Sequence, residues 1–224
     1  MKKAAFLVLA AQILPFVSVA LPEGDALLYP SRTAYIGVNL GGGSTEWKYL
    51  VDTTDLPGAS TGSVPVDVNE GGPSWGVVFG YDVNKNFAIE LQYMRFADSN
   101  ITFDELGYDT YGYYNFISRT DAYSLSGKFL VPVGTVPTRL RVFAAVGAGM
   151  VERHDAVLLN TMTARMLSCI TPYLSAGANY SFTRHWMLES GFQYYTGFGV
   201  SEVNPVNDFI PFAWDAYARV AYQF

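Results

Sequence analysis

The last eleven residues of the chain alternate between two kinds of side chain and end on an aromatic ring. One face of this segment would carry Trp214, Ala216, Ala218, Val220, Tyr222 and Phe224, and the other Asp215, Tyr217, Arg219, Ala221 and Gln223. A period of two is the period of a β-strand with one apolar and one polar side. A final strand that ends on an unprotected Phe is typical of membrane barrels, and this constrains the interpretation of the rest of the chain.

The N-terminus has the pattern of a secretory signal peptide. The basic start Met1-Lys2-Lys3 precedes an apolar run over residues 4–16, and small residues lead up to Ala20. Signal peptidase reads small residues at such positions, so we predict cleavage between Ala20 and Leu21. The predicted organisation is a signal peptide over 1–20, a periplasmic N-terminal segment over 21–31 and a transmembrane β-barrel over 32–224.

Charge and cysteine content exclude several classes of protein. Removal of Lys2 and Lys3 leaves 12 basic against 20 acidic residues, a net charge of −8. This balance argues against nucleic acid as a partner, because phosphate neutralisation needs clustered Lys and Arg. The single cysteine, Cys169, cannot form an internal disulfide. No segment after residue 20 has about 18 uninterrupted apolar residues, so the sequence offers no transmembrane helix.

Alternation recurs in seven further segments, which cover residues 35–40, 75–81, 87–94, 123–131, 140–150, 173–182 and 186–194. Together with the terminal run they predict eight strands long enough to cross a bilayer at a tilt. The predicted fold is all-β, an eight-stranded antiparallel up-and-down transmembrane β-barrel. A secreted β-sandwich is the alternative that the composition leaves open.

The connections between these segments alternate in length. Those at 82–86, 132–138 and 183–185 are short, whereas those at 43–72, 97–118, 152–170 and 199–213 are long. Short turns on one rim and long loops on the other are typical of outer-membrane barrels. An even strand number then predicts periplasmic termini and extracellular long loops.

A weak internal repeat carries a resemblance to a known family. Residues 80–93 and 178–194 each contain a strand, a tight polar turn, an aromatic residue, a Glu and an aromatic-rich strand. Over about 31–224 the chain resembles the eight-stranded transmembrane domain of outer membrane protein A and its small relatives. The resemblance implies a place in the outer membrane of a Gram-negative bacterium, with Tyr222 and Phe224 as the signal that the barrel-assembly machinery recognises. The best-known member continues into a peptidoglycan-binding domain, but this chain stops at Phe224, so cell-wall anchoring is not carried over.

Charged residues also fall on the strand faces opposite the apolar ones, and five of them are candidates for ion pairs in the lumen. They are Glu90, Lys128, Arg141, Glu189 and Arg219. An eight-stranded barrel has an interior just wide enough for side chains to fill, so charges there should pair. Counting from the short-turn rim predicts that Glu90 pairs with Lys128 and Glu189 with Arg219, with Arg141 slightly lower. Such a cluster either closes the lumen or, as discussed for the family's archetype, acts as a gate whose salt bridges exchange partners and pass ions.

The long loops are acidic and rich in aromatic residues. Residues 97–118 carry four acidic side chains together with six Phe and Tyr residues. They form either a solvated surface with an aromatic lid or a binding surface for host or bacterial molecules, since Tyr-rich segments make adaptable contacts. Acidic loops near phosphorylated lipopolysaccharide could also recruit divalent cations. No loop has regular metal-ligand spacing, so neither a metal site nor a cofactor is predicted. Apolar spacing between Asp155 and Leu167 predicts a short helix.

The histidines do not support an enzyme. A lipid-hydrolysing site on a barrel would need a His and a Ser oriented by an acid near the outer leaflet. His185 falls in a predicted periplasmic turn, and His154 has no Ser at a matching spacing. The predicted function is therefore a structural and adhesive outer-membrane protein, in contact with lipid and lipopolysaccharide, with a low-conductance channel as the alternative.

Overall fold

Strands make up nearly all of the computed structural model, which describes residues 32–48, 52–56, 59–63, 65–103, 115–133, 139–157, 165–198 and 209–224. The strands are β1 (Thr33–Thr45), β2 (Asp52–Leu56), β3 (Ala59–Ser63), β4 (Pro65–Asn69), β5 (Gly72–Asn84), β6 (Phe87–Arg95), β7 (Ser99–Phe103), β8 (Asn115–Pro132), β9 (Leu140–Val157), β10 (Arg165–Ser181), β11 (Trp186–Tyr195) and β12 (Ala213–Gln223). Within these ranges no helix is long and apolar enough to span a membrane. The predicted signal peptide and N-terminal segment, residues 1–31, lie outside the described residues.

Eight of these strands close into a ring. In spatial order they are β1, β5, β6, β8, β9, β10, β11 and β12, and each pairs antiparallel with both neighbours. The pairing of β1 with β12 joins the two ends of the barrel sequence. The predicted eight-stranded antiparallel barrel is confirmed.

The strand register fixes the tilt of the barrel. The line of registered partners that leaves β1 at Tyr35 returns to β1 at Thr45, a displacement of ten residues. For eight strands such a stagger corresponds to a tilt of about 40°, so each residue advances about 2.5 Å along the barrel axis. The interior of so narrow a barrel is a packed core of side chains rather than a wide channel.

Burial alternates along most of each barrel strand, as the period of two predicts. On β12 the outward residues are exposed or half-buried, whereas Asp215, Tyr217, Arg219 and Ala221 are buried. The outward residues from Trp214 to Phe224 span about 25 Å along the axis, the height of the apolar band of a membrane barrel. Aromatic residues edge this band, with Trp75, Tyr93, Tyr123, Tyr194 and Trp214 at one level and Tyr180, Trp186 and Tyr222 at the other.

Both ends of the described chain meet at one rim, called here the terminal rim. Phe224 lies there 71% exposed, and its backbone N–H donates to the Ala34 carbonyl at 3.0 Å. Its ring packs edge-on against Tyr222, with 5.5 Å between the ring centroids. The opposite end of the barrel is called the distal rim.

Several strands continue well past the aromatic residues at the distal end. The outer parts of β8, β9 and β10 rise about 20 Å beyond Tyr123 and Trp214 at the rise per residue given above. There β7 pairs with β8, and β4 with β7, so that β4, β7, β8, β9 and β10 form an extension called the distal sheet.

The distal sheet corrects two sequence predictions. The long loop predicted at 152–170 is largely strand, because β9 continues to Val157 and β10 begins at Arg165. The helix predicted between Asp155 and Leu167 is wrong at both ends, since Asp155 pairs with Arg165 and Arg153 with Leu167 across two antiparallel strands. Cross-strand hydrogen bonds with β9 thus override a local apolar spacing that fits a helix.

Candidate functional site

Four charged side chains meet in the lumen near the terminal half of the barrel. Glu90, Lys128, Glu189 and Arg219, called here the lumenal quartet, are each at most 3% exposed. They come from β6, β8, β11 and β12, and the register places them within about 3 Å of one another along the axis. The alternation of each strand turns these residues inward, so the lumen receives two carboxylates and two cations at one level.

Each carboxylate of the quartet contacts both cations. Glu90 Oε1 accepts from Lys128 Nζ at 2.8 Å and from Arg219 Nη1 at 2.8 Å. Glu189 lies 2.5 Å from Lys128 Nζ through Oε2 and 2.8 Å from Arg219 Nη1 through Oε1. The predicted neighbouring pairs are therefore accompanied by two further ion pairs, which join residues that are not on adjacent strands. The four formal charges sum to zero.

Neutral side chains satisfy the remaining groups of the quartet. Arg219 Nε donates to Asn39 Oδ1 at 2.6 Å, and its Nη2 donates to Gln92 Oε1 at 2.7 Å. Tyr35 donates to Glu90 at 2.5 Å, and Tyr217 donates to Glu189 at 3.1 Å. A buried ion pair repays its desolvation only when its other donors and acceptors are also bonded. This network meets that condition, so the quartet is held as one unit.

Arg141 lies apart from the quartet, nearer the terminal rim. Its Nε donates to Asn179 Oδ1 at 3.0 Å, and Nη2 lies 3.9 Å from the sulfur of Met187. Asp82, which falls in the predicted short connection at 82–86, is buried at a similar level and accepts from Gln223 Nε2 at 3.4 Å. The signal that could have identified Asp82 is the alternation of β5, which turns it inward with Val78 and Gly80.

A mainly apolar layer, called here the apolar layer, packs the lumen on the distal side of the quartet, at a level where the buried Asp215 accepts from the Ser74 hydroxyl at 3.0 Å. Its buried members are Met94, Phe96, Ala122, Ala145, Val151, Tyr173, Tyr195, Ile210 and Ala213. Phe96 and Tyr195 pack edge-on with 5.9 Å between ring centroids, and Tyr173 lies 4.9 Å from Tyr195. Gln92 and Gln193 join the two levels through a 2.6 Å hydrogen bond. The sequence pattern did not predict this layer, because six of its nine residues lie outside the alternating segments and the other three share a strand face with polar side chains.

A second aromatic cluster lies beyond the apolar layer, at the distal rim. It contains Trp47, Ile101, Phe103, Phe116 and Phe209, all at most 3% exposed. The buried guanidinium of Arg153 stands 4.6 Å from the Trp47 ring, forms an ion pair with Asp155 and donates to the Phe209 carbonyl. This distal aromatic cluster packs against the inward face of the distal sheet and closes the barrel interior at that level. Phe103 and Phe116, expected to form a lid or to lie at the membrane interface, take part in it.

The half-buried carboxyl of Glu70 also lies at the distal rim. Glu70 lies between β4 and β5 and accepts the backbone N–H of Trp47 at 2.6 Å. Partial burial raises the pKa of the Glu70 carboxyl above its ordinary value, and the Trp47 N–H opposes that rise. Glu70 therefore links the start of the barrel's β5 to the distal aromatic cluster.

The histidines lie outside the lumen. His185 Nδ1 is 3.1 Å from the Gln223 carbonyl at the terminal rim. His154 Nε2 lies 3.9 Å from Asp121 and 3.8 Å from Glu152 on the outward face of the distal sheet. Within the described ranges, His, Cys, Asp and Glu side chains form no group of three that could hold a metal ion.

Comparisons with known proteins agree with this architecture. The family model of the OmpA-like transmembrane domain matches residues 30–224. No curated protein sequence matches the chain. Among solved structures, the outer membrane protein OprG from Pseudomonas aeruginosa is similar with a TM-score of 0.58 at 12% identity, over 88% of this chain and 99% of that one. Neisserial surface protein A (NspA) gives a TM-score of 0.52 at 13% identity, over 85% and 97% of the two chains. The N-terminal barrel domain of Pseudomonas aeruginosa OprF gives 0.50 at 13% identity, over 87% and 98%.

Proposed function

This chain belongs to the family of OmpA-like transmembrane domains, and from that premise we propose that it is a non-enzymatic surface protein with a closed lumen and partner-binding distal segments. Its barrel is that of an outer-membrane protein. Candidate partners are molecules of a host or of neighbouring bacteria.

The observation that carries the proposal is the stacking of three closed levels in one narrow lumen. The quartet, the apolar layer and the distal aromatic cluster follow one another along the axis. An ion that crossed the barrel would have to lose its hydration in the apolar layer after separating the ion pairs of the quartet. The free energy needed to desolvate an ion in apolar surroundings is far larger than the free energy that one rearranged side chain could supply by contacting that ion.

The orientation of the barrel is part of the proposal. The terminal rim carries the short turns at 85–86 and 182–185, and the distal rim carries the distal sheet. Outer-membrane barrels have short periplasmic turns and longer extracellular connections. The termini are then periplasmic, the distal sheet stands outside the cell, and Arg95 and Arg119 reach the level of lipopolysaccharide phosphates. Residues 1–20 are the proposed export signal, and the Tyr222 and Phe224 rings are the proposed contacts for the barrel-assembly machinery.

Two measurements test the proposal. Refolded protein in planar bilayers should show no conductance steps, since each level of the lumen is packed. Cells that display the barrel should lose binding to host or bacterial surfaces when residues 104–114 are replaced by a short Gly-Ser linker, which retains β7 and β8. A conducting wild-type protein, or full binding by the linker variant, would contradict the respective half of the proposal.

One feature favours a low-conductance channel as the second candidate. Because Glu90 and Glu189 each contact both Lys128 and Arg219, a carboxylate can release one cation while it keeps the other. Partner exchange of this kind would open a path without leaving an isolated buried charge. Conductance that appears in the wild type and changes in Glu90→Ala and Arg219→Ala would favour this function.

A further inference from the structure

The distal sheet has two edges, and one of them belongs to β10. Strand β10 pairs with β9 from Arg165 to Tyr180, but with β11 only from Tyr173 to Ser181. Among the residues that the structure describes, no strand pairs with the other side of β10 between 165 and 171. Within the described ranges, the barrel's own ladder therefore ends near residue 172 on that side.

Pro172 marks this end and shows which way the backbone points. The Thr196 N–H donates to the Pro172 carbonyl at 3.1 Å, so Pro172 directs its backbone toward β11. Successive residues of a strand direct their N–H and C=O to opposite sides, and β10 keeps one register with β9 throughout. The backbone groups of Met166, Ser168 and Ile170 therefore point to the open edge, whereas those of the intervening residues bond to β9. The Cys169 thiol, a weak donor, lies 3.5 Å from the Ile170 carbonyl.

The side chains at this edge suit a strand-shaped partner. Met166 is 61% exposed and Ile170 is 76% exposed, while Leu167 and Cys169 pack inward against the apolar layer. The inward face of this edge is therefore held by packing against the apolar layer, and its outward face exposes apolar side chains. It lies about 4 to 14 Å beyond the level of Trp214 along the axis, outside the apolar band.

The opposite edge of the distal sheet is protected. Strand β4 begins at Pro65, has an irregular register between Pro65 and Asp67, and carries a charge at Asp67. Proline, bulges and charges are the devices by which proteins prevent unwanted pairing at sheet edges. The segment of β10 from Met166 to Thr171 has none of these, and the contrast points to an edge that is kept open for pairing.

We infer that the β10 edge at Met166, Ser168 and Ile170 is a docking site for an extended segment of a partner polypeptide, which adds to the distal sheet as a further strand. Donors and acceptors that alternate at two-residue spacing match another extended backbone, and main-chain bonds supply affinity in such strand addition. A second copy in the same membrane fits less well, because its β10 would run in the same direction and could pair only in parallel. This inference rests on the proposed function, for which it names the partner class.

Amide hydrogen exchange of the folded protein in lipid nanodiscs tests the open edge. The amides of Met166, Ser168 and Ile170 should exchange fast, and those of Leu167, Cys169 and Thr171 should be protected by β9. Protection of the first three in the isolated protein at every concentration would overturn the inference, because another part of the chain would then cover the edge. Protection that rises with protein concentration would also overturn it, in favour of a second copy.

Binding of a fluorescein-labelled octapeptide of alternating Val and Thr tests the partner class. The double variant Ser168→Pro with Ile170→Pro removes two edge donors but no bond to β9, so it should weaken binding at least about tenfold. Ile170→Thr keeps the backbone donor and should change affinity by less than about threefold. Equal binding by the proline variant, or no binding by the wild type at millimolar peptide, would overturn the inference. In that case the proposed function would still be supported by an absence of conductance steps in planar bilayers and by cell binding that depends on residues 104–114.

Discussion

Arg219 Nη1 lies 2.8 Å from Glu90 Oε1, although the two residues are 129 positions apart and three strands apart around the ring. The contact crosses the lumen and joins the last strand of the barrel to β6. Register alone places Arg219 opposite Glu189 on β11. The cross-lumen contact turns two neighbouring pairs into one network, and the cost of removing any member therefore depends on the other three.

Loss of one cation from the quartet should destabilise the barrel strongly. Lys128→Met leaves two buried carboxylates with a single cation, which should cost about 3–5 kcal/mol of unfolding free energy. Urea titration in lipid vesicles measures this cost. Lys85→Met, which removes an exposed cation from the β5–β6 turn, is the matched control and should change stability by less than about 0.5 kcal/mol.

A double-mutant cycle should reveal the coupling in the quartet. Glu189→Gln together with Lys128→Met should cost less than the sum of the single variants by about 0.5–3 kcal/mol, because the double variant restores one acid to one base. Additive losses would show that the two side chains contribute independently, contrary to their 2.5 Å contact.

The sequence was sufficient for the barrel and for the level of the quartet, since both follow from a period of two and from counting along strands. It was insufficient for contacts across the lumen, such as that between Arg219 and Glu90, because periodicity says which side chains point inward but not which of them meet. Arg153 was missed for a different reason. It lies in a run with Glu152, His154 and Asp155 that looks like a polar loop, and only pairing with β8 and β10 makes this run a strand.

Arg153 should hold the distal region without supporting the membrane barrel. Arg153→Met removes its ion pair with Asp155 and its bond to the Phe209 carbonyl. We expect faster proteolysis of the distal segments and an unchanged unfolding midpoint of the barrel in urea. Arg119→Met is the matched control, because the Arg119 side chain is 47% exposed and lies 3.5 Å from the exposed Asp98. Equal protease resistance of Arg153→Met and the wild type would contradict the expectation.

Two adjacent glycines of β1 should differ sharply when replaced by Ala. A Cβ on Gly43 would lie 1.9 Å from the Trp214 carbonyl oxygen, whereas a Cβ on Gly42 would have its nearest neighbour at 3.5 Å. Gly43→Ala forces backbone shifts and should cost about 1–3 kcal/mol. Gly42→Ala should be close to neutral. Urea unfolding of the two variants measures both stability changes. The difference between them gives the effect of the close approach of β1 and β12, apart from the general effect of replacing a glycine.

The apolar layer should keep the lumen closed even when the quartet is broken. Glu90→Ala opens space at the quartet, but Met94, Phe96 and Tyr195 still fill the lumen on its distal side. We therefore expect no conductance from the single variant Glu90→Ala, and none from the double variant Met94→Ala with Phe96→Ala. Conductance should appear only when all three changes are combined with Trp47→Ala and Phe116→Ala in the distal aromatic cluster, since water then has room at all three levels. Planar-bilayer recordings of the three variants, each checked for folding by electrophoretic mobility before and after heating, test this order. Steps in Glu90→Ala alone would show that the quartet is the sole barrier and would favour the channel function.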